Sequence, residues 1–365
     1  MASIPPSFPL RGPLSSSIPS LDTILKSQFE LCRRSKIIRT DPLAPDVLRR
    51  KIPGKMGLIA EHEPSLFVKK RPATVPKYVA VDEPFNPHKF NFNKVGEGEV
   101  MVTIADGNES VDGDASEQST KEQMHRILVN VSPLMYGHGL LVPWSEQCLP
   151  QQLCPSAVDL AIRLLRRTVK DCNYCIGFNS LGAFSSVNHL HLHVMYPSEL
   201  DHEARGEPLM EGRKNFPVTF AEPVKTCATR YYKEIECKVE ELQWFVPCFA
   251  FRSTVGDDEC LKKAVSRFVQ YLQSQKVPHN VLFVSEGDDK IRVIIIPRQH
   301  QDHFDKEKHG FNAALGELSG MLIARTVDHF DLFEEAEIVR KMECYVAIND
   351  DTLSDIYSEL RGKMS

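Results

Sequence analysis

The stretch "NSLGAFSSVNHLHLHVMYP", residues 179–197, sets His189, His191 and His193 at every second position, with Leu190, Leu192 and Val194 between them. In a β-strand, residues two apart point to one face, and each such step advances roughly 6.5–7 Å. The three imidazoles are therefore expected on one face and the three aliphatic residues on the other, facing a core. A helix would scatter the same histidines around its axis, so the period predicts a strand. Three imidazoles in register point to a gripped group, either a metal or an anion, rather than to a strand face that merely meets water.

Composition narrows the classes. The 365 residues are 42% hydrophobic and 25% charged, ordinary for a globular chain long enough for two domains. A net charge of −5 gives no electrostatic reason to expect nucleic acid as a partner. No apolar run approaches the ~20 residues that cross a bilayer, so no membrane association is expected. The opening "MASIPPSFPLRGPLSSSIPS" lacks the apolar core of a secretory signal and is expected to be a disordered extension. Ten cysteines without framework spacing fit reduced thiols in a cytoplasmic protein. Cys172 and Cys175 form a C-x-x-C pair, but a zinc site needs two further ligands, and packing thiols are expected.

Outward from the histidines, the elements suggest an α+β arrangement. "LDTILKSQFELCRRSKII" predicts a helix from Leu21, and Val100–Ile104 a strand. The acidic segment 105–122 reads as a mobile loop. "RILVNVSPLMYGHGLLVP" predicts strands at Ile127–Val131 and Gly139–Pro143 around a turn. "PSAVDLAIRLLRRTVKDC" predicts an amphipathic helix, with Pro155 near its start, Val158, Ala161, Leu165 and Val169 on one face, and an end near Asp171. A strand in "YCIGFNS" then leads into the histidines. Strand–turn–strand, helix, strand–turn–strand implies an antiparallel sheet with helices. "NVLFVSEGDDKIRVIIIPRQ" predicts another hairpin, whose second strand ends in an aliphatic run and proline as "GLLVP" does, followed by a helix in "FNAALGELSGMLIA". The two halves read as distant copies of one unit. The expected division is an N-terminal extension over 1–50, a histidine-bearing half over 51–205 and a degenerate half over 206–365.

The residue types suit phosphoryl chemistry. A neutral imidazole attacks phosphorus and leaves well from a phosphoramidate, dividing one displacement into two. Charge building on the phosphate oxygens needs placed donors, which Asn179, Ser186 and the backbone at Gly182 can supply. The same residues are also those of an ordinary turn.

"HLHLHVM" resembles the histidine-triad signature, and "NVSPLMYGHGLLVP" resembles the upstream block of the same superfamily. "IPGKMGLIAEHEP", "VKKRP", "KFNFNKVGEGEV", "GFNSLGAFSSVNHLHLH" and "HNVLF" extend the likeness to the GDP-hexose phosphorylases over roughly residues 50–340. That resemblance implies a histidine-triad-like fold in two halves and guanylyl transfer without a cofactor or metal, with GDP-hexose and inorganic phosphate as the partners. His191 would attack the α-phosphorus of a GDP-hexose and expel hexose 1-phosphate, and phosphate would then take the GMP group. His189 and His193 would orient the nucleophile and contact phosphates. Asn130 would meet ribose hydroxyls, His138, Asn179 and Ser186 the phosphates, and Phe90, Phe92 and Lys94 the base. For these last three, packing rings and a solvated lysine are the competing explanation.

The third triad member departs from the plant members, which act on GDP-L-galactose and carry glutamine there. His193 follows the animal members, which act on GDP-D-glucose, and also the triad hydrolases. A sugar phosphate leaves as a stable anion without a proton, whereas an amine or alkoxide benefits from an acid. Hydrolysis, a metal centre on the three histidines and a non-catalytic nucleotide binder are the other readings of the motif. The motif leaves the oligomeric state open.

Overall fold

In a computed structural model the hydrophobic alternation resolves into two sheets. It describes residues 5–11, 18–71, 79–106, 124–168, 173–201, 208–229, 235–253, 258–287 and 290–362. Val169, Cys172 and all but the first two residues of the acidic 105–122 segment lie outside this set.

The strands in chain order are β1 (Ser7–Pro9), β2 (Leu48–Lys51), β3 (Ile59–His62), β4 (Val100–Ala105), β5 (Met124–Val129), β6 (Gly139–Val142) and β7 (Cys175–Asn179). They continue with β8 (Leu192–Met195), β9 (Pro223–Ala228), β10 (Cys237–Leu242), β11 (Phe249–Ser253), β12 (His279–Gly287), β13 (Lys290–Pro297) and β14 (Met321–Ile323). Eleven of them form one sheet in the order β1-β4-β5-β6-β8-β7-β12-β13-β11-β10-β9, and β14-β3-β2 form a second.

The large sheet contains the same unit twice. From edge to centre the first half runs β4-β5-β6-β8-β7 and the second β9-β10-β11-β13-β12. In each, a helix joins the third strand to the fourth, Pro155–Arg167 in the first half and Asp258–Ser274 in the second. The halves meet where β7 and β12 pair antiparallel, Phe178 opposite Val281. By this topology the counterpart of β13 is the histidine strand β8 and not "GLLVP", because proline after an aliphatic run ends a strand wherever it falls.

Three expectations need correction. Residues 5–11 are not disordered: Ser7–Pro9 adds an edge strand parallel to β4, burying Phe8 and Leu10. The helix from Pro155 stops at Arg167, where Thr168 Oγ1 donates to Leu164 O at 2.9 Å and meets Tyr174 OH at 2.9 Å. A side chain that turns back on the last carbonyls closes a helix. The stretch 311–324 is a four-residue helix, Leu315–Leu318, followed by β14, with Gly320 at φ +103° between them.

Burial follows the pattern of alternation. Leu190, Leu192 and Val194 join Ile176 and Phe178 in the core beneath the two connecting helices. On the opposite face, Leu282, Ile294 and Ile296 share a second core with Leu318, Leu322 and the β3 residues Ile59 and Ala60. The segment Leu48–His62, early in the chain, thus packs with the second half through β3 and β14. Cys175 is buried, with its thiol donating to Met195 O at 3.6 Å. Among the described residues the cysteines are free thiols, and no helix is long and apolar enough to cross a membrane.

Candidate active site

Only His193 lies in the β8 ladder; His189 and His191 come just before it. Their backbone is paired instead by the segment after β6. Leu190 N–H donates to Leu149 O at 2.8 Å. The buried Gln151 amide does the rest: Oε1 accepts from His191 N–H at 2.9 Å, and Nε2 donates to His191 O at 3.1 Å and to Asn179 O at 2.9 Å. A side-chain amide thus occupies the place of a neighbouring strand and satisfies the backbone of the central histidine.

That histidine is held in one tautomer. His191 Nδ1 lies 2.8 Å from His189 O, a carbonyl that can only accept, so Nδ1 carries the proton and the lone pair is on Nε2. The carbonyl of His189 thus fixes the His191 ring, while the His189 ring itself packs among phenylalanines. The ring is fully buried with centroids 5.4 Å from Phe85 and 5.6 Å from Phe92, and its Nδ1 accepts from Phe92 N–H at 3.1 Å. Phe92 also packs on His191, 4.9 Å between centroids.

A second chain of contacts fixes His193. Leu134 N–H donates to His138 Nδ1 at 3.0 Å, so His138 is protonated on Nε2, which faces His193 Nδ1 at 3.0 Å. His193 therefore carries its proton on Nε2, 3.2 Å from Asn179 Nδ2. The Asn179 amide cannot turn, because its Oδ1 accepts from Leu315 N–H at 3.1 Å and from Asn280 Nδ2 at 2.5 Å. Asn130 is held likewise: Oδ1 accepts from Ser132 N–H at 3.0 Å, leaving Nδ2 3.3 Å from His138 Nε2. Two pairs of N–H donors therefore face each other, Asn179 Nδ2 against His193 Nε2 and Asn130 Nδ2 against His138 Nε2. An anionic oxygen accepting from these groups removes the conflict.

Electrostatics keeps the imidazoles neutral. Burial pulls His138 down to about 3, helped by the Lys70 charge, and His191 down to about 4 against its bond to the His189 carbonyl. His193 is lowered by burial first, then by His138, His191 and Lys70. At neutral pH His191 Nε2 is therefore an available nucleophile. His138 and His193 are bonded to each other, and among the described residues no three His, Cys, Asp or Glu side chains are grouped to hold a metal ion.

These groups line a cleft with about 1170 Å³ of open space, which also takes in Phe90, Phe92 and Ser186. Two expected site residues lie elsewhere. Gly182 at φ +73° serves the turn after β7 outside the cleft lining, and a Cβ there would stand 2.5 Å from His300 Cδ2, so its freedom lets two segments pack. The Lys94 ammonium donates to the carbonyls of Pro87 and Lys89, both at 2.7 Å, and so ties down a turn outside the cleft.

The cleft also contains Lys70, Arg71, Glu99, Asn312 and Glu317, which the motif reading missed. Burial raises the Glu317 carboxyl to about 8, so it is protonated at neutral pH. Arg298 is buried behind Phe184, with its guanidinium 5.1 Å over that ring and its Nη1 bonded to Ala313 O. "VKKRP" held the signal for Lys70 and Arg71, since such a cluster of cations beside a proline is more than a solvated face requires. Asn280 lay inside the "HNVLF" block without a role assigned to it, and nothing local marked Glu317 or Gln151.

Residues 20–195 match the family model "GDPGP1-like, N-terminal domain", and residues 217–362 match "GDPGP1-like, C-terminal domain". GDP-D-glucose phosphorylase 1 of Homo sapiens is 32% identical over 306 residues, 79% of this chain and 70% of that protein. The Bos taurus protein of the same name is 33% identical over 313 residues, 80% of this chain and 71% of its own. GDP-L-galactose phosphorylase 2 of Arabidopsis thaliana is 28% identical over 323 residues, 86% of this chain and 66% of its own. Among solved structures, yeast Ap4A phosphorylase in complex with Ap4A superimposes with a TM-score of 0.53 at 18% identity, covering 90% of this chain and 98% of that one. This likeness places the fold among the histidine-triad-like α+β proteins. With both halves matched in order and the histidine hairpin inside the first, the chain belongs to the GDPGP1-like family.

Proposed function

We propose that the protein is a GDP-hexose phosphorylase, acting on GDP-D-glucose. The observation that carries this reading is His191, neutral and tautomerically fixed with Nε2 unprotonated, beside donors that lack an acceptor. Nε2 attacks the α-phosphorus of the GDP-hexose. The bond to the bridging oxygen breaks, and hexose 1-phosphate leaves with the electron pair, while GMP stays on His191. An oxygen of inorganic phosphate then attacks the same phosphorus, the P–N bond breaks, and GDP leaves with the imidazole restored. No cofactor enters this sequence. The N–H groups of His193, Asn179 and Asn130 hold the charge that builds on the phosphate oxygens.

Glucose is favoured by histidine at position 193, as in the animal members that the sequence resembles, and by the names of the human and bovine relatives. The free thiols of the described cysteines suit the reducing cytoplasm.

Product analysis on GDP-glucose with and without inorganic phosphate tests the reading. The expected outcome is phosphate-dependent formation of GDP and glucose 1-phosphate, reduced at least roughly a thousandfold in His191→Ala. GMP formed equally well without phosphate would make the protein a hydrolase.

A further inference from the structure

Beside His191 part of the cleft wall is apolar. Phe92, Leu128 and Val187 are buried there, and Phe90 and Leu140 pack against them. A flat aromatic ligand suits such a slot, because stacking and area burial need no direction. One ion pair stands in this apolar part. Arg71 Nη2 donates to Glu99 Oε1 and Oε2 at 3.0 and 3.1 Å, and the Arg71 guanidinium lies 4.6 Å over the Phe90 ring. Both side chains are largely buried, and Glu99 directly precedes Val100, which pairs with Leu128 on the slot wall.

A carboxylate at the rim of a base slot has a specific use. The pairing edge of guanine offers two adjacent donors, N1–H and the 2-amino group, and a carboxylate accepts both in parallel. Adenine presents a lone pair at N1 instead, which would face the carboxylate and repel it. Hypoxanthine keeps N1–H but lacks the 2-amino group. We propose that Glu99, positioned by Arg71, reads the N1–H and 2-amino edge of guanine in this chain, with the base in the slot formed by Phe90, Phe92, Leu128, Leu140 and Val187. Arg71 acts here as a positioning residue: its hydrogen bonds to both carboxylate oxygens keep Glu99 aimed.

This rests on the nucleotide-binding reading of the cleft but not on catalysis, and the test uses that separation. Equilibrium binding of GMP, IMP and AMP is measured by calorimetry on the full chain, wild type and Glu99→Gln, with thermal melting to confirm folding. Wild type is expected to bind GMP at least roughly fivefold more tightly than IMP, and AMP more weakly still. Glu99→Gln is expected to bring GMP and IMP to within about twofold, and Arg71→Ala to narrow the gap in part. If the pair were only a strap across the cleft, Glu99→Gln would weaken all three nucleotides equally and leave their ratios intact. That result, or a wild type that does not separate GMP from IMP, overturns the inference. Loss of discrimination in a protein that shows no phosphate-dependent turnover keeps the base site and removes the phosphorylase reading instead.

Discussion

The two halves of the large sheet share a strand order but use their common face in opposite ways. In the first half, the face with Leu128, Leu140, His193 and Met195 is left open as the cleft. In the second, the matching face presents Ala250, Leu282, Ile294 and Ile296, and these are sealed under Phe311, Leu318 and Leu322 and the small sheet. The cover is built from the chain after β13, together with the β2–β3 hairpin recruited from the N-terminal part of the protein. One copy has kept a polar surface with access for a ligand. The other has exchanged that access for a core, and its margin now supplies Asn280, Leu315 N–H and Glu317 to the first. The difference shows how two units with one strand order can divide the work, one offering access and the other buttressing it.

The most severe break in this comparison is Asn280→Leu, a change in the half without histidines. It removes a bond to Asn179 Oδ1 and leaves the Ala183 carbonyl without its donor. Turnover is expected to fall about a hundredfold, with a stability loss of about 1–3 kcal/mol seen in denaturant titration. Unchanged turnover would show that the second half is only a wall.

Gln151→Leu tests the first half alone. Without the amide, the backbone of His191 loses both hydrogen bonds to the 151 side chain. A kcat about tenfold lower with nearly constant KM is expected, because the nucleophile is misplaced while the cleft that binds substrate is intact. Gln151→Glu keeps only the acceptor and should fall between the two.

The smallest effect is expected at the most conspicuous residue. His193 offers one fixed N–H to the cleft, which a glutamine amide can replace, so His193→Gln should stay within about tenfold of wild type while His193→Leu falls further. The sign of the pH dependence follows from the lowered values. Imidazoles whose folded pKa is depressed bind fewer protons folded than unfolded, so the stability they give is full above about pH 6.5. It is lost as pH falls through about 4, where His191 also gains a proton. The formation of the GMP–histidine species from GDP-glucose should therefore show no acid limb between about pH 7 and 5.5. A rate that falls as pH rises through about 6.5, with that fall abolished in His193→Gln, would mean that His193 serves as an acid after all.

What could be read in the sequence was local. Alternation located β5, β6 and the histidine hairpin, and helical spacing located Leu21–Arg34 and Pro155–Arg167. The tautomer of His193 and the fixed amide beside it were beyond reach, because their partners come from distant segments: His138 is 55 residues away, and Leu315 N–H is 136 residues from Asn179. Lys94 and Gly182 misled for the same reason. A lysine beside two phenylalanines resembles a binding edge until its ammonium is found on the carbonyls of Pro87 and Lys89. Phe8 and Leu10 lay in a proline- and serine-rich stretch with no period, and only the open edge of β4 gave them a partner.

The seam between β7 and β12 also sets the order in which the protein can become active during synthesis. A nascent chain that has reached residue 250 already holds every histidine of the motif, but Asn280 and Leu315 are still to come. Asn179 is then free to turn, His193 has no fixed partner on that side, and β7 stands as an unpaired edge. The first half must wait at that edge, exposed to mispairing, until β12 emerges and docks on it. Chaperone dependence and sensitivity to truncation should therefore centre on residues 279–318, far from the motif that announces the chemistry.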